Sequence, residues 1–257
     1  MDESNGFGRP VVALPEDPFA PFGDCGDRVR VLGHRGAPAP GGRENSVPAV
    51  TEALRQGADG VEIDVWLTPD GRLVCAHDLR TVADPSSLAT LPELLAAAQQ
   101  PAGAQVVVEA KPVTDAAVAA RTAFALADAL RTFAGDARIV VSSFDPALLA
   151  LIRATCADLP VRTALLGERS APAASVVRRA HEDGHDEVHL PLAGVRRSPQ
   201  VLETARALGM SVTVWTVNEP SDLRWAAELG VDAVITDDVP GALTELDLAT
   251  VPALAAA

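Results

Sequence analysis

Gly60-Val61-Glu62-Ile63-Asp64-Val65 and its return, Leu73-Val74-Cys75-Ala76-His77-Asp78, decide how the rest of the chain is read. Val61, Ile63 and Val65 are β-branched and stand at every second place, which predicts a strand. Glu62 and Asp64 fill the alternate places, so both carboxylates leave the same face. Thr68-Pro69-Asp70-Gly71 predicts a turn, because proline fixes one φ and glycine accepts a positive one. A hairpin closed there pairs Leu67 with Arg72, and that register sets Glu62 opposite His77. Two acids and an imidazole then share one patch on an apolar strand pair. Burying two unpaired carboxylates costs several kcal/mol, so a positive group is expected between them, and a divalent metal is the first candidate.

Outward from this hairpin, strand and helix signals alternate. Val29 to Leu32 is a short β-rich run ending at Gly33-His34-Arg35-Gly36. A helix is expected from Val47 to Gly57, capped by Asn45 or Ser46. Further strands are expected at 105–110, 138–142, 161–166, 187–190, 211–217 and 233–236. Helices are expected between them at 91–99, 115–133, 146–155, 172–182, 199–208 and 220–229, with a last one near 240–248. Without the hairpin's return strand this makes eight strands, each trailed by a helix, and predicts a closed (β/α)₈ TIM barrel. No Gly-x-Gly-x-x-Gly or Walker signature favours an open, doubly wound sheet. Residues 1–28, with Pro10, Pro15, Pro18 and Pro21, are expected to form an extended arm, parts of which dock through Phe7, Phe19 and Phe22. The barrel domain is then 29–257.

The chain has 257 residues, is 48% hydrophobic and 22% charged, and carries a formal net charge of −14. This balance argues against nucleic acid and anionic membrane surfaces as partners, though not against a small anionic substrate. The cysteines Cys25, Cys75 and Cys156 fit no metal or redox spacing and are read as reduced thiols. No apolar run reaches transmembrane length and no signal-peptide pattern opens the chain, so a cytoplasmic protein is expected.

In such a barrel, chemistry sits at the C-terminal ends of the strands. His34 and Arg35, Glu62 and Asp64, Glu109 and Lys111, Ser142 and Ser143, Trp215 and Asn218, and Asp237 all fall there. Glu62, Asp64 and Glu109 form an oxygen-rich set suited to Mg²⁺ or Ca²⁺, with Mn²⁺ as a further candidate. Arg35 and Lys111 add positive charge, so that a phosphodiester anion can bind and its transition state be stabilised. His34 and His77 are placed to move protons. His181, His185 and His189 are read as structural or solvated, with His189, late in a strand, the least settled.

Taken in order, His34-Arg35-Gly36, Glu44-Asn45-Ser46, the stretch 57–65, Thr68-Pro69-Asp70-Gly71, His77-Asp78, Glu109-Ala110-Lys111, Ser143-Phe144, Trp215-Thr216-Val217-Asn218 and the stretch 230–237 resemble the successive motifs of the glycerophosphodiester phosphodiesterases. The resemblance runs from about Val29 to Leu246. It implies a (β/α)₈ barrel that cleaves small glycerophosphodiesters to glycerol 3-phosphate and an alcohol with a divalent metal. It further implies that Glu62, Asp64 and Glu109 hold the metal, that His34 and His77 are general base and acid, and that Arg35 and Lys111 hold the phosphate. Glu44 then supports the site and Trp215 lines the groove. Two departures stand out. Arg43 replaces the family's usual proline, and the segment between His77 and Gln105 is too short for the small subdomain often inserted there. Alternatives are a lysophospholipase D, a phosphatidylinositol-specific phospholipase C, and a non-catalytic phosphodiester-binding barrel.

Overall fold

The computed structural model of the protein describes residues 28–99, 103–133 and 138–250, with side chains to 247. The chain alternates strand and helix as β1 (Arg30–His34), α1 (Val47–Arg55), β2 (Gly60–Leu67), β3 (Leu73–Cys75), α2 (Leu91–Ala98), β4 (Gln105–Ala110) and α3 (Ala116–Arg131). It continues through β5 (Arg138–Ser143), α4 (Pro146–Thr155), β6 (Val161–Leu166), α5 (Ala173–Glu182), β7 (Glu187–Pro191), α6 (Leu192–Arg197) and α7 (Val201–Ala207). β8 (Ser211–Trp215), α8 (Pro220–Glu228), β9 (Ala233–Thr236) and α9 (Val239–Thr250) complete it. The strand order is β1-β9-β8-β7-β6-β5-β4-β2, and a β1–β2 pairing closes the ring. All pairings in the ring are parallel, so this is the expected (β/α)₈ barrel.

The ninth strand, β3, is antiparallel to β2. Val65 pairs with Ala110 on one edge and with Cys75 on the other, so β3 lies on the edge of β2 that faces β1. The hairpin register differs from the expected one. Leu67 pairs with Leu73, not with Arg72. The turn takes one residue more, because Thr68 N–H donates to the Arg72 carbonyl at 2.9 Å while Gly71 N–H donates to the Thr68 carbonyl at 2.9 Å. His77 lies two residues beyond the end of β3, so Glu62 and His77 are not a cross-strand pair.

Alternation along each strand divides the interior in two. Val61, Ile63 and Val65 face outward into the large core between sheet and helices, with Val106, Val108, Ile139 and Val141 beside them. The inward set at mid-barrel is small: Leu32, Val107, Val140, Ala164, Ala233 and Ile235. Below it the floor is polar. Arg30 bonds Gln105, and Arg162 lies 3.3 Å from the fully buried Glu187. Burial works against the Glu187 charge, but His189 and Arg162 overcome it and hold its carboxyl below the ordinary range. Above the apolar layer, the inward positions carry the candidate site.

The helices start where the sequence provides caps. The Ser46 hydroxyl accepts from Ala49 N–H at 3.3 Å, and Pro48 fits the first turn of α1. Asp115 and Asp145 cap α3 and α4 in the same way. Two short 3₁₀ turns, Leu79–Thr81 and Pro85–Ser87, and α2 fill the segment after His77, whose described residues hold no inserted subdomain. Helix α6 was not signalled by the sequence. Cys75 and Cys156 are buried and unbridged; Cys25 and residues 1–27, where an extended arm is expected, lie outside the described residues. No helix among the described residues is long and apolar enough to cross a membrane.

Candidate active site

A cleft of about 380 Å³ opens at the C-terminal ends of the strands. His34, Arg35, Glu62, His77, Glu109, Lys111 and Trp215 line it. Of the residues singled out in the sequence, Ser142 also lines it, while Glu44, Asp64, Ser143, Asn218 and Asp237 are not in its wall. Asp64 is only 1% exposed and sits behind it, and Glu44 is at the rim, where both its oxygens accept from Arg35 Nη1 at 3.0 Å.

Glu62, Asp64 and Glu109 each offer a carboxylate oxygen, and the three atoms lie within 4.8 Å of one another. Strand pairing produces this directly, because Asp64 is in register with Glu109 on the neighbouring strand and Glu62 is two places down the same face. Lys111 follows Glu109 on the same face. Its Nζ lies 2.5 Å from Asp64 Oδ1 and 2.6 Å from Glu109 Oε1. Arg35 approaches from β1, with Nε 3.3 Å from Asp64 Oδ2.

Two non-glycine residues with positive φ, Arg35 and Asn45, shape the loop that delivers these groups. Arg35 has φ 56°, a conformation unusual for a side chain of its size. It turns Arg35 N–H toward Glu62 Oε2, at 3.1 Å. Gly36 follows with φ 83°, and a Cβ there would stand 2.5 Å from the Ala49 backbone carbon, so only glycine lets the loop lie on α1. Asn45 has φ 51° and grips Asp64 twice: Nδ2 donates to Oδ2 at 2.7 Å, and Oδ1 accepts from Asp64 N–H at 2.8 Å. The sequence marked Asn45 only as a possible helix cap.

The three acids do not share their charge equally. Burial, then Asp64 and Glu109, push the Glu62 carboxyl well above its ordinary range. Burial also raises Glu109, to about 7, although Lys111 pulls the other way. For Asp64, burial is overcome by Lys111, Asn45 and Arg35, and its carboxyl is held below the ordinary value. Arg35 and Lys111 are both raised: burial opposes their charge, and the acids outweigh it. One acid is thus satisfied by the chain's own cations, and the other two retain an unmet demand for positive charge. An oxygen-only set with that demand fits a hard divalent cation such as Mg²⁺, Ca²⁺ or Mn²⁺.

Three histidines line the cleft, and His34 and His77 differ in support. His34 Nδ1 lies 2.6 Å from Asp237 Oδ1, so it carries the proton and leaves Nε2 as acceptor. Asn218 Nδ2 holds Asp237 Oδ2 at 2.7 Å, and Asn218 Oδ1 accepts from Asp237 N–H at 2.9 Å. The hydrogen bond to His34 is the main reason the Asp237 carboxyl lies below its usual value. His77 is exposed on the cleft side, and the partial loss of water around its ring, with the nearby Arg35 and Lys111 charges, lowers its pKa. His189, unsettled in the sequence, is fully buried and reaches the cleft from β7. Its Nε2 lies 3.5 Å from Glu187 Oε2.

The sequence profile described as the glycerophosphoryl diester phosphodiesterase family matches residues 34–99 and 81–240. A Mycobacterium tuberculosis protein named probable glycerophosphodiester phosphodiesterase 1 is 32% identical over 241 residues, 78% of this chain and 86% of its own length. Among solved structures, a glycerophosphodiester phosphodiesterase from Parabacteroides distasonis superposes with a TM-score of 0.75 at 22% identity, over 86% of this chain and 98% of that one. A phosphodiesterase from Oleispira antarctica, solved with the product sn-glycerol-3-phosphate, gives a TM-score of 0.72 at 22% identity over 86% and 97% of the two chains. At that identity the two structures bear on the fold, while the family follows from the profile and the mycobacterial relative. The strand-end acids, their two cations and the cleft histidines thus stand in a chain that belongs to the glycerophosphoryl diester phosphodiesterase family of phosphoric diester hydrolases.

Proposed function

We propose that this protein hydrolyses glycerophosphodiesters to glycerol 3-phosphate and an alcohol, with a divalent metal held by Glu62, Asp64 and Glu109. The observation that carries this reading is the convergence of three carboxylates within 4.8 Å beside Arg35, Lys111 and two histidines in one cleft. When bound, the ion would polarise the phosphoryl oxygens and offset their growing charge. Arg35 and Lys111 would hold the phosphate from the side of the barrel mouth that β1 and β4 supply. His34, its tautomer set by Asp237, would take the proton from the attacking hydroxyl through Nε2. His77 would protonate the leaving alkoxide. The phosphodiester anion would offset the Arg35 and Lys111 charges that depress His77, and so help it hold that proton. The product-bound Oleispira antarctica phosphodiesterase, of the same fold, supports glycerol 3-phosphate as the product.

The test is release of glycerol 3-phosphate from glycerophosphoethanolamine and glycerophosphoglycerol with Mg²⁺, Ca²⁺ or Mn²⁺, against EDTA. Release that depends on the ion is expected. Folded protein that releases nothing with any of the three ions overturns the reading. Turnover of lysophosphatidylcholine alone would replace it by a lysophospholipase D.

The raised acids also predict how metal and pH act on stability. A carboxyl raised in the folded state adds stability that is complete below its unfolded pKa and lost as pH rises through the folded one. For Glu109 that window runs from 4.5 to about 7. The loss is on the order of 3 kcal/mol for Glu109 alone. Asp64 works in the opposite sense, but only as pH falls below 3.8. The metal-free protein is therefore expected to melt at a lower temperature at pH 8 than at pH 5. Saturating divalent ion, which binds the ionised acids, raises the melting point more at pH 8 than at pH 5. Thermal melts with EDTA and with each ion at both pH values check this.

A further inference from the structure

The strand order places β6, β7 and β8 across the mouth from β2 and β4, so the cleft has a second wall away from the acids. Trp215 is its centre, and the indole is fixed on three sides. Its Nε1 donates to the His189 carbonyl at 3.3 Å. The Phe144 ring meets it edge-on, with centroids 5.7 Å apart and planes at 80°. The Arg169 guanidinium carbon lies 5.1 Å from its ring centre.

Arg169 comes from the loop after β6, and that loop is tied down at both ends of the relevant stretch. Gly167 N–H donates to the His189 carbonyl at 2.9 Å, and Arg197 on α6 donates to the Arg169 carbonyl at 2.9 Å. Arg169 is exposed, and among the described residues no acid pairs with it; Glu168, its neighbour, forms no ion pair with it. A cation held over an indole face is the arrangement by which proteins capture quaternary ammonium groups. Here the chain supplies that cation itself. A second fixed positive charge in the same place repels, so this wall is closed to a trimethylammonium group. The guanidinium's outward N–H groups remain available to hydroxyl or carboxylate oxygens.

We infer that Arg169, stacked on Trp215, meets the far end of the alcohol whose oxygen His77 protonates in the same cleft, and so selects it: it disfavours a quaternary ammonium headgroup and favours one bearing hydroxyl or anionic oxygens. This rests on the phosphodiesterase reading. It differs from the role of Arg35 and Lys111, which lie at the phosphate and do not separate headgroups.

The experiment measures kcat/KM for glycerophosphoglycerol and glycerophosphocholine, with the activating ion present, for wild type, Arg169→Met and Arg169→Lys. A ratio is read because any general loss of activity or folding cancels in it. Wild type is expected to prefer glycerophosphoglycerol about tenfold or more, a difference of about 1.4 kcal/mol. Arg169→Met, which keeps the stem and removes the charge, is expected to bring the ratio to within about threefold of unity. Arg169→Lys is expected to retain most of the preference. A wild type that prefers glycerophosphocholine, or a ratio that Arg169→Met leaves unchanged, overturns the inference while leaving the phosphodiesterase reading intact. No turnover of either substrate by wild type with any ion overturns that reading and this inference with it.

Discussion

Glu62→Gln is expected to lower kcat/KM by about three orders of magnitude or more without lowering the melting temperature of the metal-free protein. The first half follows from the proposed metal role, since losing a ligand removes several kcal/mol of transition-state stabilisation and each 1.36 kcal/mol is a factor of ten. The second half follows from what Glu62 touches. Glu62 is 4% exposed, and its carboxyl accepts one hydrogen bond from Arg35 N–H and faces two other acids. A glutamine keeps an oxygen for that N–H and removes a charge that burial and both neighbours disfavour. Asp64→Asn is the informative contrast. Asp64 accepts from Asn45 and is flanked by Lys111 at one oxygen and Arg35 at the other. An amide in either orientation turns its own donor toward one of these groups. Breaking that buried arrangement costs about 3–5 kcal/mol, so Asp64→Asn is expected to lose both activity and several degrees of melting temperature. Activity assays beside melts in EDTA separate the two. A Glu62→Gln protein that retains metal-dependent turnover within tenfold of wild type would remove Glu62 from the proposed metal set.

The contrast between these acids could be read from the sequence only in part. Alternation alone put Glu62 and Asp64 on one face and Glu109 and Lys111 on another, and eight strand–helix repeats brought those faces to one rim. Period-two reasoning needs no knowledge of partners, which is why it reached so far. It could not count turn residues. Thr68 bonds Arg72 rather than leaving it to Leu67, and one extra turn residue shifted the hairpin register. Nor could it see which residue a polar side chain reaches. Asn45 reads locally as a cap, yet its amide is bound to Asp64, 19 positions on, while Ser46 does the capping. Asp237 was visible as a strand-end acid, but its partner His34 is 203 positions away. Arg169 sits in a loop with no periodicity, and only closure of the ring shows that it covers Trp215. Helix α6 is six residues long, too short to develop a helical pattern.

The His34–Asp237 contact carries the second large expected effect. His34→Ala is expected to lower kcat by about 10²–10⁴-fold, the usual worth of a positioned proton acceptor, with a much smaller change in KM. The side chain is 21% exposed and bonds only at the cleft, so the loss of fold stability is expected to be small. Added imidazole, small enough to enter the space left by the missing ring, is expected to restore part of the rate in a concentration-dependent way. Asp237 acts through His34 and is a positioning residue. Asp237→Ala leaves the imidazole in place but removes the carboxylate that fixes its Nδ1 proton and ring plane. Its expected loss is therefore smaller than that of His34→Ala, about 10–100-fold in kcat, and imidazole should give no rescue because the ring is still there. The double variant is expected to be no slower than His34→Ala alone, since Asp237 has nothing left to orient. Additive losses in the double variant would mean that Asp237 contributes by another route. Its position also holds Asn218, which bridges Asp237 to Thr236 on β9, and a general loosening of that corner would appear as a lower melting temperature in Asp237→Ala. Kinetics for the three variants, with and without imidazole, and their melts distinguish proton transfer from mere support of the barrel mouth.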